Sequence, residues 1–75
     1  MNSPFLLQQS DQFAVRLRKE AGEVAAKQVT RAFQLSFGRE PTADEQSAAM
    51  KLIATHGLPA FCRAMFNANE FVFVR

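Results

Sequence analysis

Cys62 and His56 are the one pair in this sequence whose residue types and spacing could do covalent chemistry, a thiol nucleophile six residues from an imidazole base across a Gly-Leu-Pro turn. Contact between the two is possible across that turn, and catalysis would also need a third group to orient the base. The plainer reading gives Cys62 the apolar face of a helix, as a small core residue, and gives His56 a helix C-terminus, where positive charge is favoured. Asp44 and Glu45 are neighbours on a helix and do not face each other, and both have a capping role, so paired acid–base work is not expected of them. One Cys and one His fall short of a zinc set, and the three glycines stand apart rather than in a phosphate loop. The expectation is therefore no catalysis, no cofactor, no metal and no identified small-molecule substrate.

Basic residues raise a second kind of chemistry. Arg16, Arg18 and Lys19 cluster in one stretch, and Lys27 and Arg31 stand four residues apart. Against nucleic-acid binding, Glu20 and Glu23 interrupt the cluster and nine Lys and Arg meet seven Asp and Glu, for a net charge of +2. No recognition helix rich in Asn, Gln and Arg follows a tight turn. A small nucleic-acid-binding helical protein is kept as the alternative reading.

The elements that must carry these residues read as four helices. Ser3 before Pro4 is a helix start, the Ser oxygen taking an orphan N–H and Pro suiting the first helical position. Leu6, Ser10, Phe13, Ala14, Leu17 and Ala21 then share one face, and Gly22 is the expected stop, with a helical run continued through it by Glu23, Val24, Ala25 and Ala26 as the alternative. A second helix is expected over 23–37, with Ala25, Ala26, Val29, Ala32, Phe33, Ser36 and Phe37 on its main face and Val24 and Leu35 outside it. Gly38 stops it, and Arg39-Glu40-Pro41 connects. Arg39 is singled out because a guanidinium beside a Pro-Thr turn can tie carbonyls, or Glu40 and Glu45, together.

Thr42 and Glu45 form a T-x-x-E capping box, the clearest local signal in the chain. The third helix runs to about His56, presenting Gln46, Met50, Ile53 and Ala54, and Gly57 ends it. The fourth is expected over about 59–68, with Leu58, Phe61, Cys62, Met65 and Phe66 on one side, and the weak helix formers Asn67 and Asn69 breaking the pattern. That leaves residues 70–75 as an apolar tail. If the tail continued as helix, Phe71 and Phe73 would point in roughly opposite directions.

Composition agrees with a single folded domain. Seventy-five residues that are 48% hydrophobic and 21% charged, the charges spread fairly evenly, argue for a folded globule over a disordered segment, and eight Phe with no Trp or Tyr must supply the core. The single Cys62 excludes an internal disulfide. The start of the chain has neither a basic leader nor an apolar run long enough for a signal peptide or a membrane span, so the chain as it stands is expected to be soluble.

Three stretches in order, NSPF at 2–5, RAFQLSFGREPTADE at 31–45 and FCRAMFNANEFVFV at 61–74, resemble the closing segment of the planctomycete-specific domain one family. That is a domain of unknown function in large proteins, often beside planctomycete cytochrome-type domains. Phe37 stands where the family has Leu, and Ala68 where it has Ser. The resemblance implies an exported or cell-envelope parent and carries no catalytic residues. Read physically, Asn67, Asn69 and Glu70 are expected to form a helix exit held by side-chain hydrogen bonds.

The sequence reading is thus an all-α bundle of four helices with short connections, over 1–75 as one domain. Its expected structural caps are Ser3, Gly38, Thr42, Glu45 and Gly57. Its expected role is packing or interaction with protein, either the remainder of a parent domain or a second copy in a dimer. Phe71, Phe73 and Val74 are the docking residues.

Overall fold

Three glycines and one capping box set most of the helix boundaries. The computed structural model describes residues 4–74, with side chains described for 8–67. Ser3 and the side chains of Phe71, Phe73 and Val74 lie outside the described residues. The elements are α1 (Pro4–Ala21), α2 (Ala25–Phe37), α3 (Ala43–His56) and α4 (Leu58–Val74). They form an all-α bundle in which each helix packs on the next in sequence and α4 closes the ring against α1.

Gly22 stops α1 as expected, with φ 76° and its N–H bonded to Arg18 O at 2.9 Å. The second helix starts at Ala25 rather than 23, because the left-handed turn at Gly22 costs the chain two further residues before helical geometry resumes. Val24 is its N-cap and offers no side-chain hydrogen bond. The buried amide of Gln28 compensates at this corner by donating Nε2 to Gly22 O at 2.7 Å.

The one-residue connection between α3 and α4 requires Gly57, whose φ 91° and ψ 164° fall in a region essentially reserved for glycine. Its N–H returns to Ile53 O at 2.8 Å, and Pro59 follows in the first turn of α4, where a missing N–H leaves no intrahelical bond unmade.

The core lies where the four apolar faces meet. Leu17 and Ala14 of α1, Val29, Ala32 and Phe33 of α2, and Phe61, Cys62 and Met65 of α4 are buried, as the 3.6-residue spacing predicts. The face of α3 differs from the expectation. Ala49 is the buried residue, with Leu52 and Ile53 packed against the core, whereas Met50 and Ala54 are exposed. Because α3 touches both α2 and α4, a small residue faces the core between them and the longer Met50 lies at the edge.

The fourth helix also departs from its expected end. It runs through Asn67 and Asn69 to Val74, so these residues form no helix exit and the apolar tail is a helical continuation in its backbone. The propensity cost of an Asn is a fraction of a kcal/mol, about 0.7 at most, which packing of α4 against two neighbours outweighs.

Candidate functional site

Three polar arrangements and one cleft gather the residues with chemical potential. The first joins α2 to α3. Thr42, extended at φ −70° and ψ 168°, accepts from Glu45 N at 3.2 Å while its own N–H donates to Glu45 Oε1 at 2.8 Å, completing the capping box. Arg39 then closes on the same carboxylate from the other side, Nη1 to Oε1 at 2.8 Å and Nη2 to Oε2 at 2.9 Å. Its Nη1 also donates to Glu40 O at 3.0 Å. The expectation that Arg39 ties the Pro-Thr turn together holds, through the carbonyl of Glu40 and the carboxylate of Glu45.

The guanidinium carbon lies 5.5 Å from the Phe33 ring centre and 5.6 Å from that of Phe37. Those two rings, one helical turn apart, are tilted against each other at 5.4 Å. Arg39 therefore links the aromatic end of α2 to the N-terminus of α3. Its hydrogen bonds hold the Glu45 carboxyl down at about 2, with the Thr42 N–H adding to the effect, and Glu45 in turn raises the guanidinium's already high pKa. Gly38 makes the approach feasible by ending α2 in the left-handed conformation, φ 68° and ψ 22°, with its N–H on Gln34 O.

The second arrangement spans α1 and α2. Glu20 accepts from Arg16 Nε at 2.7 Å through Oε2 and from Arg31 Nε at 2.8 Å through Oε1. Arg16 first, then Arg31, lowers the Glu20 carboxyl below its ordinary range. Glu20, which interrupts the basic cluster in sequence, thus pairs in space with Arg16 of that cluster and with Arg31 of α2. Its second partner, Arg31, is eleven positions away and carries no local signal.

The third arrangement is the Cys62 and His56 pair. Cys62 has no exposed surface, and burial pushes its thiol up to about 12. His56 is exposed, with Nδ1 2.9 Å from Thr55 Oγ1. Among the described residues, no hydrogen bond joins the two, and no group of three or more His, Cys, Asp and Glu could hold a metal ion. None of the described helices is long and apolar enough to cross a membrane.

An open cleft of about 610 Å³ lies where α1, α2 and α4 meet, lined by Gln9, Gln12, Phe13, Arg16, Leu35, Ser36, Met65 and Phe66. Phe13 and Phe66 meet there edge to face, ring centres 5.6 Å apart. Leu35, off the main face of its helix by spacing, is one wall of this cleft. The misfit of Leu35 was the available sign that α2 has a second contact side.

The family whose pattern matches the chain is described as PSD1, a protein of unknown function (DUF1553), and the match covers residues 1–53. It takes in α1, α2, the Arg39 and Glu45 clamp and most of α3. No curated protein and no solved structure matches. With more than two thirds of its length inside that match, the chain belongs to the PSD1 family of proteins of unknown function.

Proposed function

We propose that this chain is a non-catalytic packing and interaction module, resembling the closing part of a larger planctomycete domain, which docks through the apolar end of α4. One observation carries the reading: α4 stays helical to Val74, and residues 71–74 are all apolar. A helix that is apolar all round is one that becomes buried, and the two helices packed on α4, α1 and α3, face only part of its circumference. The remaining cover comes from the rest of a parent domain or from a second copy.

Several features support a role without catalysis. The thiol is buried and hard to ionise, and among the described residues the carboxylates with displaced pKa values are those of Glu45 in a cap and Glu20 in an ion-pair bridge. The same Glu20 bridge engages Arg16 and Arg31 and weakens the nucleic-acid alternative. Sedimentation of the chain over a range of concentrations tests the reading. A self-associating species that dissociates when Phe71 and Phe73 are both changed to Ser is expected. A monomer at every concentration, indifferent to those changes, would remove the self-docking form of the proposal.

A further inference from the structure

We propose that Met50 is a peroxide-oxidation site of this chain and that the sulfoxide formed there is held by the side-chain amide of Gln46, so that the modification registers at the contact between α2 and α3. This goes beyond the interaction role and does not depend on it. Two independent observations carry it.

The first is which sulfur a reagent can reach. Among the residues whose side chains are described, Met50, Cys62 and Met65 carry sulfur. Cys62 has no exposed surface and Met65 is 5% exposed, so both are withdrawn into the core, whereas Met50 is 37% exposed at the edge of α3. A thiolate is ordinarily the better target for a peroxide, but burial keeps the Cys62 thiol protonated as well as covered. Met50 is left as the accessible sulfur. In the reaction one peroxide oxygen passes to Sδ: the O–O bond breaks, an S–O bond forms, the sulfur loses two electrons and hydrogen peroxide leaves as water.

The second is what stands beside that sulfur. Gln46 lies one helical turn before Met50, and its Nε2 is 3.6 Å from Met50 Sδ while donating to Ala26 O of α2 at 3.0 Å. The orientation of the amide follows from its neighbours, since the reverse would set its carbonyl oxygen against two acceptors. Its NH₂ group carries two hydrogens, one for Ala26 O and one for the sulfur, and a thioether sulfur is only a weak acceptor. Oxidation replaces that weak acceptor with a polar oxygen. The modified side chain therefore gains a better hydrogen bond without disturbing the core, and the donor it uses is the one that spans α2 and α3.

Dilute hydrogen peroxide on the whole folded chain, followed by peptide mass spectrometry, tests the site. Met50 is expected to take up one oxygen at least about tenfold faster than Met65, with Cys62 unmodified over the same interval. Met65 or Cys62 reacting as fast as Met50 would overturn the proposal. NMR of the oxidised chain tests the holding. The Gln46 NH₂ resonances are expected to move, and to stay in place when Met50→Leu is treated in the same way. The melting temperature is expected to fall further on oxidation in Gln46→Leu, which has no donor for the sulfoxide, than in the unaltered chain. An unmoved Gln46 amide, or an equal fall in both chains, would overturn the role given to Gln46.

Discussion

Arg39 meets Glu45 with two parallel hydrogen bonds, 2.8 and 2.9 Å, while Glu45 also completes the cap of the helix that follows. One carboxylate thus serves two tasks: it accepts the Thr42 N–H that the new helix leaves over, and it anchors a guanidinium resting near Phe33 and Phe37. The corner between α2 and α3 is held by this set.

Thr42→Ala removes the hydroxyl that accepts from Glu45 N. Stability is expected to fall by about 1 kcal/mol, read from denaturant unfolding. An unchanged midpoint would mean the cap contributes nothing in this context.

The corner should also be sensitive to acid. The Glu45 carboxyl lies at about 2 in the folded chain, below its ordinary value of 4.5, so its contribution is fully present above pH 4.5 and is lost as pH falls toward 2. Glu45→Gln is expected to lower the melting temperature at pH 7 and to shrink the loss between pH 4.5 and 2. Some acid sensitivity remains in that variant, because the Glu20 carboxyl is lowered too. Both groups are solvent-accessible, so high salt should reduce the effect. A melting curve equally pH-dependent with and without Glu45 would assign the acid response elsewhere.

Gly57→Ala places a Cβ on a backbone with φ 91° and ψ 164°. The added carbon would meet Pro59 Cδ at 3.7 Å, an ordinary contact, so the cost is conformational rather than steric. A loss of about 1–3 kcal/mol is expected on unfolding. A neutral result would mean that the one-residue link can take another shape.

Cys62 should be inert while the fold holds. With its thiol pushed up to about 12 and no exposed surface, alkylation at pH 8 is expected to run at least about tenfold slower than in the denatured chain. A rate equal to that of a free thiol would show an accessible, ionisable sulfur and reopen the nucleophile reading.

What the sequence made legible was whatever depends on local spacing. The T-x-x-E box, the stops at Gly22, Gly38 and Gly57, and the buried faces of α1, α2 and α4 follow from residues within a few positions of one another. Arg39 was legible for the same reason, being six positions from Glu45. The face of α3 was not, because its apolar residues surround much of the helix and packing between α2 and α4 chose Ala49. Nor was the length of α4, where two Asn residues gave a local signal to stop that tertiary packing overrode. The bond from Gln46 Nε2 to Ala26 O, twenty positions apart, belongs to the same class of long-range fact.

Amide hydrogen exchange of residues 71–74, compared between dilute and concentrated chain, tests the docking role most directly. The account predicts rapid exchange in dilute solution and marked protection on concentration, as a second copy covers the end of α4. Exchange rates identical at every concentration would contradict docking on a second copy.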